Sequence, residues 1–257
     1  MKSLVKWMLI LVISAISFGC ATTGGKEDTQ TELAISAAAS LTDALTEIKQ
    51  AYEKDNHDIG LTLNLGSSRK LATQIEQGAP ADIYLSASMD DMIRLKEKGL
   101  VNESTIINFT ENSLVLIVNK HVENPVSSFE QLDSVGIKHI SIGEPNTVPA
   151  GKYTKEVLEH LQLWASLKNK LVMGSDVRQV LTHVELGNAD YGVVYASDAR
   201  TSDKVTVVAE ADPSWHSRII YPGAVVKDSN HHAEAQDYLD FVSGEEGIAV
   251  LKKYGFK

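Results

Sequence analysis

The sequence predicts an α/β protein with mostly parallel sheets, and three observations lead to this prediction. Short apolar runs alternate with amphipathic segments from Leu33 onward, which is the pattern of strands joined by helices. Within the amphipathic segments, such as 41–52, apolar residues recur every three or four positions, as on one face of a helix. The series starts again after Asn112, which predicts a second domain of the same class.

The predicted elements follow one another closely along the chain. Strands are expected at 33–37, 59–66, 81–88, 106–109, 113–119, 139–143, 170–174, 190–197, 204–210 and 224–228. Helices are expected at 41–54, 69–82, 89–99, 151–161, 178–187, 231–244 and 245–255. Gly78, Gly99 and Gly187 stand at expected helix ends, where glycine favours termination.

Length and charge limit the classes of function. The 257 residues suffice for one large domain or two medium ones, and 43% hydrophobic with 23% charged residues is an ordinary globular composition. The net charge is −10, which argues against nucleic acid or an anionic membrane surface as a partner. Any anion site must therefore depend on local dipoles rather than on the overall field.

The first 19 residues have the features of an export signal. Lys2 and Lys6 form a short basic start, and the apolar stretch from Leu4 to Phe18 is shorter than the roughly 20 residues of a membrane span. Cys20, the only cysteine, follows directly and resembles the lipid-attachment cysteine of a bacterial lipoprotein. The preceding Ser17-Phe18-Gly19 departs from the usual lipoprotein pattern, so a differently cleaved or uncleaved signal stays an alternative.

The polar segment that follows Cys20 is predicted to be a flexible tether. Residues 20–31 are rich in Thr, Gly and charged side chains, a composition that does not support a packed core. The chain after Cys20 contains no cysteine, so no disulfide or thiol chemistry is expected there.

Four apolar runs end in small or hydroxyl residues that open an amphipathic helix. The openings are Ala38-Ala39-Ser40, Gly66-Ser67-Ser68, Val148-Pro149-Ala150 and Ser175-Asp176-Val177. A helix N-terminus presents unpaired N–H groups and about half a positive charge. Convergence of these openings would create an anion site without a cationic side chain. The alternative is that they are ordinary helix caps; Asp43, three residues after Ser40, forms an approximate capping box.

Five segments together resemble one known family. They are AAASLTDAL, GSSRKLATQIEQGAPADIYLSAS, GEPNTVPAGKYTKEVL, DVRQVL and GVVYASDA, and their order and spacing resemble the molybdate-binding proteins of bacterial ABC importers. The resemblance implies the two-lobed type II periplasmic-binding-protein (Venus-flytrap) fold, with a mixed, mostly parallel sheet in each lobe. It extends from about Leu33 to the C-terminus. The implied organisation is a signal at 1–19, a tether at 20–31, one lobe from 32–112 plus 222–257, and the other from 113–221.

The resemblance also implies a set of ligand contacts for molybdate or tungstate between the lobes. Ser40 and Ser68 would donate through hydroxyl and backbone groups, Ala150 and Val177 through backbone N–H groups, and Tyr195 through its phenol. No cofactor is expected, and molybdenum or tungsten would be held only as the oxyanion. Arg69 stands where relatives commonly have a small residue. It could point away, brace the lobes or contact the anion.

This donor set fits the chemistry of molybdate, which at neutral pH is a fully deprotonated tetrahedral dianion. Its oxygens only accept hydrogen bonds, and a rotating hydroxyl can serve them as a donor. A protonated phosphate would place its own O–H against a donor. Sulfate would be excluded only by its smaller size, and tungstate would not be separated from molybdate.

Several other functions are alternatives on the same sequence. Ser67-x-x-Lys70 matches the nucleophile motif of penicillin-recognising enzymes, but the accompanying motifs are absent and Ser197-Asp198-Ala199 is a poor substitute. His231-His232 is expected to be a solvated pair rather than a metal site. Iron-binding relatives of this fold use neighbouring tyrosines, but Tyr191 is expected to pack in the core rather than join Tyr195. A sulfate receptor is the stronger rival because of Arg69.

The sequence therefore predicts a non-enzymatic extracytoplasmic receptor, anchored to the cell membrane as a lipoprotein. It would deliver molybdate, and also tungstate, to an ABC permease. The lobes would close about a hinge near Asn112 and Pro222. A monomer that binds no nucleic acid is expected.

Overall fold

A computed structural model describes residues 30–134 and 136–257 of the protein. The predicted signal, Cys20 and nearly all of the predicted tether lie outside the described residues. Thr31, the last residue of that predicted tether, already belongs to the first strand. Within the described part of the chain, no helix is both long and apolar enough to cross a membrane.

The described residues form ten strands and nine α-helices. The strands are β1 (Thr31–Ala38), β2 (Ile59–Gly66), β3 (Ile83–Leu85), β4 (Ile107–Glu111), β5 (Leu114–Asn119), β6 (Ile140–Gly143), β7 (Leu171–Gly174), β8 (Tyr191–Tyr195), β9 (Val205–Glu210) and β10 (Ile220–Val225). The helices are α1 (Thr42–Asp55), α2 (Ser68–Glu76), α3 (Met89–Glu97), α4 (Pro149–His160), α5 (Trp164–Leu167), α6 (Val177–Glu185), α7 (Ala196–Arg200), α8 (His232–Ser243) and α9 (Glu245–Lys253).

The strands form two five-stranded sheets, and each sheet is the centre of one lobe. The order is β2-β1-β3-β10-β4 in lobe 1 and β7-β6-β8-β5-β9 in lobe 2. In lobe 1 only β10 runs against its neighbours, and in lobe 2 only β5 does. Four of the five strands in each sheet therefore point the same way, which confirms the predicted mixed, mostly parallel sheets.

The two C-terminal helices return to lobe 1, although the chain reaches them from lobe 2. Helix α8 packs on β10, and α9 packs on α1. The chain thus crosses between the lobes at Asn112 and again shortly before Ile220, two residues earlier than the predicted boundary at 222.

Strand β10 was placed too late by the sequence pattern, which predicted it at 224–228. The strand begins at Ile220 and includes Pro222, a residue that usually indicates a break. A bulge between Tyr221 and Pro222 accommodates this proline, because the register with β4 shifts there. A second difference concerns residues 196–197, predicted as the end of a strand, which begin the short helix α7.

Predicted helix ends are confirmed at three glycines. Gly78, Gly99 and Gly187 have φ angles of 85°, 66° and 71°, a left-handed conformation that glycine adopts without the strain of a Cβ atom. Helix α2 ends at Glu76, two residues before Gly78, so the rest of the predicted segment 69–82 is not helical and the chain continues through Pro80.

Candidate functional site

The four predicted helix openings converge on one small cavity between the lobes. All five predicted ligand residues line it: Ser40, Ser68, Ala150, Val177 and Tyr195. The cavity is narrow, with a volume of about 10 Å³ open to the centre of a water-sized sphere. Pockets for drug-sized molecules span about 300–1,000 Å³, so this one suits a ligand of a few atoms.

Lobe 1 contributes two serine hydroxyls to the cavity. Ser40 lies in a 3-10 turn, Ala39–Leu41, between β1 and α1, and its Oγ is 2.8 Å from Oη of Tyr221. Ser68 is the first residue of α2, and its Oγ accepts a hydrogen bond of 3.0 Å from the backbone N–H of Ala87. That bond uses a lone pair of the Ser68 oxygen and not its hydroxyl proton, so the proton remains free to donate.

Lobe 2 contributes the N-termini of two helices. Ala150 follows Pro149 in the first turn of α4, and Val177 is the first residue of α6. N–H groups in a first helical turn have no intrahelical acceptor, so these two can donate to a ligand. Gly151 allows the close approach of α4 to β6, since a Cβ at this position would lie 2.0 Å from the carbonyl oxygen of Gly143.

Tyr195 ends β8 and completes the lining of the cavity. Its side chain is 1% exposed, and its Oη has no hydrogen-bond partner in the described structure. Burial raises the pKa of Tyr195 well above its ordinary value, so the phenol keeps its proton. A buried hydroxyl without a partner costs about 1–3 kcal/mol. Such a group beside a cavity is a donor that a ligand would satisfy.

The lining contains donors but no lysine, arginine or histidine among the described residues. Its one acidic residue, Asp176, is the N-cap of α6, and its carboxylate accepts hydrogen bonds from Gln179 N–H at 2.9 Å and Ser175 Oγ at 3.1 Å. Neutral donors and helix dipoles thus face the cavity. This arrangement suits an anion with several acceptor oxygens and no proton of its own.

Arg69 does not line this cavity. Its Nε pairs with the carboxylate of Asp91, which is almost fully buried within the same lobe. Burial raises the pKa of Asp91, while the Arg69 guanidinium opposes that shift. Arg69 borders a separate small cavity beside Pro149 and Lys152 of lobe 2. Of the three roles left open by the sequence, the observed contacts fit a side chain that points away from the anion cavity.

Several polar contacts cross between the lobes around the cavity. Ser67 Oγ donates to the carbonyl oxygen of Thr147, and Lys70 Nζ donates to that of Ser175 over 3.0 Å. Two ion pairs, Asp43–Arg178 and Asp90–Lys152, join helices of opposite lobes. The lobes are therefore in contact at the rim of the cavity, and the donors of both face the same space.

The same contacts bear on the acyl-enzyme alternative. Ser67 and Lys70 each donate a hydrogen bond to a backbone carbonyl of lobe 2. Lys70 is therefore a donor in this contact and does not accept the hydroxyl proton of Ser67. This arrangement lacks the hydrogen bond from nucleophile to base that acylation needs.

Two observations concern the metal alternatives. In residues 30–134 and 136–257, no group of three or more His, Cys, Asp or Glu could hold a metal ion. Tyr191 is buried, and its Oη accepts a hydrogen bond of 2.8 Å from Val126 N–H, which agrees with the predicted core position.

Two residues that support Ser40 from behind the cavity were not predicted from the sequence. Tyr221 contacts Ser40, and Asn112 Nδ2 lies 3.3 Å from Oη of Tyr221. Asn112 was recognised only as a crossing point, and Tyr221 has the pattern of any core tyrosine in a strand. Their role depends on contacts between positions 40, 112 and 221, which no local spacing reveals.

The two lobes and the donor-lined cavity between them define a ligand-binding protein of the two-lobed type. The family model for bacterial extracellular solute-binding proteins matches residues 33–257. The chain belongs to this family, and it is a binding protein rather than an enzyme.

Individual relatives cover nearly the whole chain. The Bacillus subtilis (strain 168) protein YvgL, whose name describes a candidate ABC transporter substrate-binding lipoprotein, is 44% identical over 93% of this chain and 92% of its own. The molybdate-binding protein ModA of Haemophilus influenzae is 37% identical over 100% of this chain and 99% of its own. The solved periplasmic molybdate-binding protein of Azotobacter vinelandii has a TM-score of 0.79 at 22% identity, covering 88% of this chain and 98% of that one. The last similarity confirms the two-lobed fold.

Proposed function

We propose that this protein is the substrate-binding component of an ABC importer and binds molybdate, and also tungstate, in the cavity between its lobes. The observation that carries the proposal is the buried, unpartnered phenol of Tyr195, which shares its cavity with the first turns of α4 and α6. Together with Ser40 and Ser68, these groups offer donors from both lobes.

The donor set matches the needs of a tetrahedral dianion. Burying a dianion without partners would be prohibitive, because water solvates it strongly. Each hydrogen bond to a charged group contributes about 1.5–3 kcal/mol, so several converging donors offset that cost. The hydroxyls of Ser40, Ser68 and Tyr195 carry no charge and suit an oxyanion that needs donors alone.

Ligand capture proceeds by closure of the lobes about the crossing segments near Asn112 and Pro222. Neither lobe alone holds the full donor set, since Ser40 and Ser68 lie on one and Tyr195 on the other. The ligand favours the closed state only through its higher affinity for that state. The closed form would then be what an ABC permease recognises.

The relatives support the ligand and the location. ModA of Haemophilus influenzae is named as molybdate-binding, and YvgL is named as a lipoprotein. By analogy with YvgL, Cys20 carries a lipid that holds this protein at the outer face of the cell membrane. The protein acts there as a monomer. Replacement of Cys20 by Ala should then release the protein from the membrane fraction, and retention of that variant would argue against this anchor.

Calorimetry on residues 30–257 against molybdate, tungstate, sulfate and phosphate tests the ligand. Tight binding of molybdate and tungstate, with much weaker binding of sulfate and phosphate, is expected. Sulfate binding more tightly than molybdate would identify a sulfate receptor instead, and no binding of molybdate would overturn the proposal.

A further inference from the structure

The hydroxyl of Ser40 lies at the end of a buried hydrogen-bond chain. Oη of Tyr221 is 2.8 Å from Ser40 Oγ, and Nδ2 of Asn112 is 3.3 Å from the same Oη. Tyr221 and Asn112 are buried behind the cavity rather than among its lining residues. The chain therefore runs from the crossing between the lobes to a ligand residue.

The orientation of the Asn112 amide is fixed by its other contacts. Its Oδ1 accepts a hydrogen bond of 2.9 Å from Ser113 N–H, which identifies the oxygen end of the amide. Its Nδ2 also donates to Ser197 Oγ over 2.8 Å. An amide nitrogen has two protons and accepts nothing, so the second proton points to Tyr221.

The direction of the next bond follows by elimination. Tyr221 is fully buried, and Ser40 and Asn112 are the partners of its Oη among the described residues. Burial raises the pKa of Tyr221 well above its ordinary value, so the phenol keeps its proton. Because the Asn112 Nδ2 that faces Tyr221 can only donate, Ser40 Oγ is the acceptor that remains for this proton, and an unpaired buried O–H would be costly.

We propose that Asn112, acting through Tyr221, fixes the Ser40 hydroxyl as a donor toward the cavity and so restricts the site to oxyanions that carry no proton. Ser40 accepts from Tyr221 and has one proton left, which faces the ligand. Asn112 and Tyr221 are thus positioning residues that control selectivity without contacting the anion. This inference rests on the proposed oxyanion function.

Reversal of the chain gives the most direct test. Asn112→Asp replaces the donor with a carboxylate that accepts from Tyr221, so Tyr221 offers Ser40 only lone pairs, and we expect Ser40 to donate to Tyr221 and present a lone pair to the cavity. Molybdate and hydrogenphosphate are both dianions at mildly alkaline pH, but only hydrogenphosphate carries a proton. The added negative charge disfavours both, whereas the reversed serine disfavours molybdate alone.

The measured quantity is the ratio of the Kd for hydrogenphosphate to the Kd for molybdate, obtained by calorimetry and competition. Asn112→Asp should lower this ratio at least about tenfold, the loss expected for one hydrogen bond to a charged group. Tyr221→Phe leaves Ser40 without its fixed donor and should weaken molybdate binding about two- to tenfold. Tyr238→Phe removes the hydroxyl of another buried tyrosine, in contact with Tyr52, and should change neither value.

The outcomes separate this inference from the proposed function. Failure of the wild-type protein to bind molybdate would reject the ligand assignment itself. Molybdate binding that is normal in wild type and equally tight in Tyr221→Phe, or a ratio unchanged in Asn112→Asp, would overturn the positioning role alone. If phosphate displaces molybdate neither from wild type nor from Asn112→Asp, the ratio has no measured value. The molybdate affinity of Tyr221→Phe then decides whether the positioning role stands. Thermal melts of each variant establish that it is folded.

Discussion

Arg178 of lobe 2 forms an ion pair with Asp43 of lobe 1, directly beside Val177, which lines the cavity. The Arg178 side chain also donates from Nη1 to Thr201 Oγ1 over 2.8 Å, and its Nε is 3.0 Å from Asp198 Oδ1. Arg178 is therefore held within lobe 2 while it reaches the opposite lobe. Val177 is the first residue of the same helix, so the ion pair lies at the point where this helix start faces lobe 1.

We expect Asp43→Asn to shorten the lifetime of the bound state. The variant removes the attraction across the cleft but leaves the contacts of Arg178 within lobe 2 intact. Partly exposed pairs contribute about 0.2–1 kcal/mol, so the dissociation rate of molybdate should rise up to about fivefold with little change in association rate. Stopped-flow measurements at two salt concentrations would report both rates.

The matched control for this variant is Lys155→Met. Its ion pair with Glu159 lies within α4 of lobe 2 and does not cross the cleft. The control should leave both rates unchanged. An unaltered dissociation rate in Asp43→Asn would show that this pair does not stabilise the closed state.

Tyr195→Phe should separate ligand affinity from stability. The phenol oxygen is buried without a partner, so its removal should leave the ligand-free protein as stable as wild type or up to about 3 kcal/mol more stable. Molybdate affinity should fall at least about tenfold, because a hydrogen bond to a charged ligand is lost. Thermal denaturation with and without molybdate measures both effects.

Tyr238→Phe is a close control because the Tyr238 hydroxyl is also buried without a partner. Tyr238 packs against Tyr52 in lobe 1 and lies outside the cavity lining. We expect a similar effect on stability and none on affinity. Equal affinity in the two variants would remove Tyr195 from the ligand site.

The sequence was sufficient to predict the fold class and most helix starts because both depend on local patterns, whereas the two lobes and the cavity between them were implied by the resemblance to a known family. Period-two and period-3.6 spacing identified most strands and helices, and the small residues at Ser40, Ser68 and Ala150 identified the helix starts. Within each lobe the starts lie close together because parallel strands end at the same edge of a sheet, and the contact between the lobes brings the two edges to one cavity. What single-sequence reasoning could not provide was the choice between capping and binding, which the resemblance to a known family supplied.

The remaining features depend on contacts between residues far apart in the chain. The sequence pattern predicted strand β10 too late, because Pro222 usually indicates a break in a strand. The bulge that accommodates Pro222 depends on the register with β4, which the sequence does not reveal. The partner of Arg69 could not be predicted, since Asp91 lies 22 positions away and only packing buries it beside Arg69. The support of Ser40 by Tyr221 spans 181 positions.

Arg69→Met should affect stability far more than ligand affinity. The substitution leaves the buried carboxylate of Asp91 without its ion-pair partner, and we expect the free energy of unfolding to fall by more than about 1 kcal/mol. Because Arg69 does not line the cavity, the Kd for molybdate should stay within about twofold of wild type.

The double variant Arg69→Met/Asp91→Asn checks the cause of that loss. Neutralising Asp91 should recover much of the stability, since no buried charge is then unpaired. A large loss of molybdate affinity in Arg69→Met, together with a weaker dependence on salt, would instead indicate that Arg69 contacts the anion.

Asp198 should make stability depend on pH between about 4 and 7. Burial raises its pKa from 3.8 to about 7, and the nearby Arg178 opposes the shift only in part, because their 3.0 Å contact is not aligned as a hydrogen bond. Above pH 3.8 the unfolded chain releases this proton while the folded protein retains it. The contribution of Asp198 to stability is therefore complete below pH 3.8 and is lost as the pH rises to about 7.

Denaturant unfolding of wild type and Asp198→Asn across this range tests the assignment. The wild-type protein should lose stability relative to the variant as the pH rises from about 4 to about 7, and the difference should be constant above that range. Asp203→Asn, at an exposed position three residues after α7, is the control and should run parallel to wild type. A difference between wild type and Asp198→Asn that is independent of pH would mean that Asp198 is ionised in the folded protein and that Arg178 fully compensates its burial.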